Sequence, residues 1–291
     1  MKYLEKHPGI VMVIGILGIS LSSIFFKYSA APSAVTAAWR LIWTVVLMGP
    51  VVMIRKEVRK ELASLPKKKL VLSLVSGVFL AIHFAFWFES LKQTTVASAA
   101  TIVCTEVLWV SLGYCLFLKG KLSAKAIGAI LVALCGSVLI AWSDSGTGGS
   151  HFYGDFLALM AALAVAVYVL LGRVVQETVS TTVYTFVVYT ACGGALVALC
   201  LVQGNALTGY GLDPVVVGLL LAVFSTILGH SIFSWCLKFF TPSLVSASKL
   251  MEPVVASILA VFLFGEIPTV LQLLGGGLIL TGLYGYAKLE N

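Results

Sequence analysis

Thr95-Val96-Ala97-Ser98-Ala99-Ala100-Thr101-Ile102-Val103-Cys104-Thr105-Glu106 returns in kind, 146 positions later, as Thr241-Pro242-Ser243-Leu244-Val245-Ser246-Ala247-Ser248-Lys249-Leu250-Met251-Glu252. The continuations match as well. Phe117-Leu118-Lys119-Gly120-Lys121-Leu122-Ser123 and the apolar stretch around Gly136 parallel Leu263-Phe264-Gly265-Glu266-Ile267-Pro268 and the stretch around Gly282. A duplicated apolar unit with a carboxylate at the same place in each copy is the arrangement a carrier needs if it exposes one site to two faces in turn.

The chain around this repeat is 60% hydrophobic and 11% charged over 291 residues, against roughly 45–50% apolar and about 25% charged in soluble domains. Ten apolar stretches run at about 9–26, 33–54, 70–90, 95–118, 123–142, 152–172, 181–203, 214–237, 242–264 and 269–287, each near the ~20 residues that cross a hydrocarbon core. The expected fold is all-α, with ten transmembrane helices. The first stretch exceeds the 7–15 residues of a signal h-region and reads as a span.

The net charge of +7 is distributed by loop rather than by domain. With the N-terminus inside, all 19 Lys and Arg except Lys27, Lys92, Arg40 and Lys249 fall in cytoplasmic segments, as the positive-inside rule asks. Both termini are thus expected in the cytoplasm of a cell-membrane, multi-pass protein, with the bilayer and a small-molecule substrate as partners and no nucleic acid. The Arg55–Lys69 loop reads as a short surface helix, either bound to anionic lipid or simply carrying the topology signal.

Ser143-Asp144-Ser145-Gly146-Thr147-Gly148-Gly149-Ser150-His151 is a short external Gly/Ser linker,. It divides the chain into a first five-helix repeat, residues 1–142, and a second, 152–291, with the linker at 143–151. Five is odd, so the second repeat enters the membrane from the opposite side, and the repeat is expected to be inverted. Small residues in the fifth and tenth stretches (Gly128, Ala129, Gly136; Gly275, Gly276, Gly277, Gly282, Gly285) allow close helix approach. The neighbour is another span or a second protomer, so a monomer or a homodimer fits.

A charge at the centre of a span costs at least ~2.5–3.5 kcal/mol and marks a partner or a wet cavity. Glu106 and Glu252 each lie ten or eleven residues into their spans, roughly 15 Å deep at 1.5 Å per residue. His83 and His230 sit at mirrored depths in the third and eighth stretches. One reading places both glutamates in a central cavity where one exchanges a proton as the cavity changes sides, with the histidines relaying it or bonding substrate. The other neutralises Glu252 with Lys249, three residues earlier on the same face, and ties each histidine to a neighbouring carbonyl or hydroxyl. Pro253 removes a donor next to Glu252, so a kink or unwound turn is expected there. Arg40, beside Trp39 and Trp43, either clamps a substrate carboxylate or snorkels to the external interface. Trp87, Trp235 and Tyr168 are the aromatic candidates for the wall of such a pocket.

The residue pattern resembles the EamA family of the drug/metabolite transporter superfamily. In the second half the match runs through Gly154-Asp155, Tyr168 to Gly172-Arg173, Gly229-His230, Glu252-Pro253, Phe264-Gly265-Glu266 and a glycine-rich last helix. In the first half Arg40 matches the family's second-helix arginine, while Val107 stands where Pro is usual and Lys121 where Glu266 has its counterpart. The resemblance implies a ten-helix carrier of small organic solutes, often an exporter of amino acids or related metabolites, with the fifth and tenth helices peripheral. Alternating access is the mechanism expected, with protons as one candidate for the coupling ion; a solute sensor or membrane enzyme using the same cavity is the alternative. Enzyme chemistry is not expected, because the ionisable residues are spread in symmetric pairs about the midplane. No metal-ligand spacing or phosphate-binding glycine loop is present, so no metal or cofactor is expected. The six cysteines, without C-x-x-C spacing, read as packing residues.

Overall fold

The computed structural model describes residues 6–94, 96–144, 152–252, 254–255, 258–259 and 269–290. Among these, every regular element is helical. Six helices are long and apolar enough to cross a membrane: Pro8–Phe26, Ser33–Ile54, Lys67–Gln93, Phe152–Val175, Thr181–Val202 and Asp213–Cys236. The segments Ile102–Phe117 and Ala124–Leu139 are shorter apolar helices.

In chain order the elements are α1 (Pro8–Ser20), α2 (Ser22–Phe26), α3 (Ser33–Ile54), α4 (Lys56–Ala63), α5 (Lys67–Gln93), α6 (Val96–Cys104), α7 (Glu106–Phe117) and α8 (Ala124–Asp144). They continue as α9 (Phe152–Val175), α10 (Thr181–Val202), α11 (Asp213–Leu220), a π segment (Leu221–His230), α12 (Ser231–Cys236), α13 (Pro242–Ser248), a 3₁₀ turn (Lys249–Met251) and α14 (Val270–Glu290). Prolines 8, 32, 66, 214 and 242 sit at or just before helix starts, where a missing N–H is harmless. The end of α10 is a Schellman turn: Gly204 takes φ +69° and Asn205 N–H reaches back to Cys200 C=O at 2.9 Å, satisfying a terminal carbonyl.

Lipid tails are as apolar as leucine, so close packing and hydrogen bonds must hold the helices together. The interfaces are accordingly lined with small residues. The inner face of α9 is Ala158, Ala161, Ala162 and Val165, all buried, and it lies along α5. A Cβ on Gly77 of α5 would stand 2.5 Å from Val188 C=O of α10. On the other side α1 lies along the π segment, and Gly18 would meet Phe224 C=O at 2.6 Å if it carried a Cβ. The α3 helix packs on α10 and α11, and α8 packs on α14. The small-residue faces of the fifth and tenth stretches therefore meet each other within one chain.

The central helices are interrupted where polar groups intrude. The fourth stretch, read as one continuous span, is two helices separated at Thr105, whose Oγ1 donates to Ile102 C=O at 2.6 Å. Side-chain bonding of this kind competes with the helical ladder. The eighth is widened into the π segment, with Thr226 Oγ1 donating to Leu221 C=O at 3.2 Å and Ser231 Oγ to Thr226 C=O at 3.2 Å, each five residues back. The ninth tightens into the 3₁₀ turn immediately before Glu252. Pro253, expected to mark a kink, lies outside the described residues. The break in the first half thus arises without a proline.

At the basic end, the expected surface helix in the Arg55–Lys69 loop is α4. It is tied to the bundle: Glu61 Oε1 accepts the Ser180 N–H at 2.6 Å, next to the start of α10. Lys69 Nζ donates to Val174 C=O at 2.6 Å, and Arg173 Nη1 donates to Leu237 C=O. This loop therefore carries tertiary bonds as well as charge.

Candidate functional site

Every break described above faces one cavity at the middle of the bundle. Its wall includes Ser22, Arg40, His83, Phe84, Trp87, Glu106, Ser225, His230, Lys249 and Glu252. The void is about 50 Å³, room for on the order of three or four waters. Seven of the nine substrate or proton-pathway candidates from the sequence converge here: Arg40, His83, Trp87, Glu106, His230, Lys249 and Glu252.

Lys249 is paired, but not with Glu252. Its Nζ donates to Glu106 Oε1 at 2.8 Å, with the two side chains 9% and 4% exposed. The i, i+3 pairing that one of the two sequence readings offered is therefore corrected. Lys249 is buried and meets the carboxylate of the other repeat across the bundle. The ammonium also lies 5.4 Å from the Phe233 ring centroid. Glu252 makes no hydrogen bond or ion pair among the described residues.

Arg40 does not snorkel. It is 1% exposed, because its guanidinium finds polar partners inside the bundle. Nε donates to Thr226 Oγ1 at 2.7 Å and Nη1 to Ser22 Oγ at 3.4 Å. The guanidinium also sits 4.1 Å over the Phe84 ring, a cation–π contact that offsets part of the desolvation cost. Nη2 is buried without a hydrogen-bond partner, as is Ser225 Oγ on the same wall. Exchanging Arg40 for Lys, which lacks the planar fork, is expected to cost about 1.5–3 kcal/mol for the lost charged hydrogen bonds. The fall in unfolding temperature of the purified variant would measure it.

The histidines follow the pattern of one tied and one open. His83 Nδ1–H donates to Ala161 C=O at 3.0 Å, so the carbonyl-bonding reading holds for this residue. The His230 ring has no hydrogen-bond partner among the described residues and stands edge-on to Phe84 at 5.2 Å and to His83 and Tyr168 at 6.2 Å. Tyr168 lies behind it, its hydroxyl 2.7 Å from Ser234 Oγ. Trp235 is elsewhere: its ring packs on Phe239 at 4.5 Å, away from the cavity wall.

Sequence reasoning missed Ser22, Ser225 and Thr226, which supply the groups that hold or face Arg40. The signal was present in adjacent polar pairs inside apolar runs, Ser22-Ser23 and Ser225-Thr226. Hydroxyls are common enough in membrane helices, where they bond to the preceding turn, that the pairs alone did not separate from that background.

A bundle of apolar helices closed around paired and open charges is the build of a membrane carrier. Comparison with known proteins gives the same class. The model of the EamA-like transporter family matches residues 8–142 and 152–287, and the chain belongs to that family, a family of multi-pass membrane transporters. Among its relatives, the uncharacterized transporter YxxF of Bacillus subtilis (strain 168) is 22% identical over 96% of this chain and 89% of its own. A probable amino-acid metabolite efflux pump of Salmonella typhimurium (strain LT2) is 28% identical over 75% of this chain and 77% of its own. A solved crystal structure superposes at a TM-score of 0.78 over 98% of this chain and 99% of its own, at 19% identity, a likeness of fold.

Proposed function

We propose that this protein is a secondary transporter that exports small organic metabolites, amino acids or compounds of similar size, by proton-coupled alternating access. The observation that carries the reading is the cavity itself. One carboxylate, Glu106, is held by Lys249, while Glu252 and the Arg40 Nη2 face the same void with bonding capacity to spare. Arg40 and Ser225 take a substrate's anionic group, and His230 and Trp87 frame the remainder, with Tyr168 behind His230. The relatives named for amino-acid metabolite efflux support the solute class.

In this reading the chain has ten spans in two inverted repeats, 1–142 and 152–291, joined by the linker at 143–151, with both termini cytoplasmic. The contacts support it. The first span lies on the eighth and the sixth on the third, while the second meets the seventh and the fifth the tenth. A two-fold relating each span to the one five later exchanges the first two pairs and preserves the last two. Lys249 is within one turn of Glu252 and bonded to Glu106, so the cation passes from one repeat's carboxylate to the other's as the cavity changes sides. The carboxylate left behind takes a proton, which avoids stranding a bare charge in the interior. The small volume of the void supports an empty, closed intermediate that must widen to admit solute.

The test is efflux of labelled amino acids and related metabolites from proteoliposomes, with and without an opposing proton gradient. Wild-type protein is expected to release at least one solute faster when the gradient is applied. Glu252→Gln should abolish that acceleration while retaining solute exchange. Failure of every solute under every ion gradient would overturn the reading, and saturable binding without movement would favour a solute sensor built on the same cavity.

A further inference from the structure

A second void, about 520 Å³, opens between α1, α13 with the following 3₁₀ turn, and α14. Its walls include Val13, Ile16 and Leu17 from α1, Leu244 and Met251 from the ninth span and Leu283 from α14. Val13 and Leu17 are 53% and 50% exposed, so the void opens outward to where lipid tails lie. Among the described residues the two halves differ here. The related face, between α9 and the α6–α7 pair, is packed shut, with Leu170 seated against Gly113 so closely that a Cβ there would collide with it.

Charge marks one end of the crevice. Gly9 and Ala287 line it, and the neighbouring Lys6 and Lys288 are both exposed. Apolar walls exclude water from the void, while these two lysines, three residues before Gly9 and one after Ala287, favour an anionic headgroup at the membrane surface. We propose that this crevice seats one anionic phospholipid, an acyl chain along the α1–α14 walls and its phosphate on Lys6 and Lys288. The inference rests on the reading that both ends of the chain lie at one membrane face, and it is independent of which solute is carried. A lipid seated there wedges the α1 side open while the α9 side stays packed, so it favours the present arrangement over its inverted counterpart.

The experiment is a thermal-shift titration of the purified full chain in neutral detergent with dioleoyl-phosphatidylglycerol or dioleoyl-phosphatidylcholine, with native mass spectrometry to count retained lipid. Phosphatidylglycerol is expected to stabilise at lower concentration than phosphatidylcholine, with one molecule retained. The Lys6→Gln, Lys288→Gln double variant should raise the half-saturating phosphatidylglycerol concentration on the order of thirtyfold, about fivefold per lysine. The Lys67→Gln, Lys68→Gln variant, at the α5 start, should leave it unchanged. Val13→Trp, on a lipid-facing position that tolerates bulk, should remove retention of the lipid while both lysines remain. Equal stabilisation by the two lipids, an unchanged preference in the lysine double variant, or full retention in Val13→Trp would each overturn the proposal. Solute efflux decides the transport reading separately, since lipid retention is read without any solute.

Discussion

Glu106→Gln is expected to destabilise the protein by about 3–5 kcal/mol, because it leaves the Lys249 ammonium buried without its counter-charge. The pair is almost fully enclosed, and the few waters the adjoining void can hold are a poor substitute for a counter-charge. Glu252→Gln should cost far less, since its carboxylate has no bond to lose among the described residues. The contrast is informative because the two glutamates are equivalent by repeat and differ only in partner. Lys249→Met combined with Glu106→Gln should recover most of the loss, as a pair removed together strands no charge. Denaturant titration of these proteins in detergent, together with Lys249→Met alone, gives the coupling energy of the pair. Equal losses for Glu106→Gln and Glu252→Gln would mean that Lys249 serves both carboxylates equally.

Gly282→Leu and Gly136→Leu are expected to cost about 3 kcal/mol or more each, the upper end for overpacking, by forcing α8 and α14 apart. A Cβ at Gly282 would lie 2.6 Å from Ala129 C=O and 2.7 Å from Ala133 N, and one at Gly136 2.5 Å from Gly275 C=O. Those are backbone atoms of the facing helix, which cannot rotate aside. Gly128→Ala is the control: a Cβ there meets nothing within 4 Å, and better helix propensity should leave stability unchanged or raise it by up to about 1 kcal/mol. Thermal unfolding of the three variants in one detergent decides the matter. Tolerance of leucine at both seam positions would show that the seam is looser than the backbone distances imply.

The two seam glycines are themselves repeat equivalents, 146 positions apart, and the repeat made them visible as small residues able to meet a neighbour. Their neighbour was not visible, because a small face in lipid is equally satisfied by another span or another protomer. The same division runs through the site. Depth along an apolar run is a one-dimensional property, so Glu106, Glu252, His83 and His230 could be placed near the midplane from residue counts alone. Direction around a helix is not, once the helix departs from 3.6 residues per turn. One of the two sequence readings paired Lys249 with Glu252 by spacing alone, whereas its bond is to Glu106, 143 residues away, a contact that only the packing of the two repeats decides. Arg40 was left between cavity and interface for the same reason: its partners Thr226 and Ser22 lie 186 and 18 residues away, on a π turn and at a helix break.

What the sequence by itself determined is the kind of molecule: a duplicated, apolar, membrane-spanning chain with ionisable groups at matching places in its apolar runs. Those properties follow from hydropathy and repetition, which need no knowledge of contacts. Only the tertiary structure decided which charges are matched, which remain open to the cavity and where the bundle leaves a gap to the lipid. These depend on the rotation of helices about their axes at Thr105, Leu221–His230 and Lys249–Met251, where hydroxyl-to-carbonyl bonds and local changes of helical pitch outweigh the regular ladder.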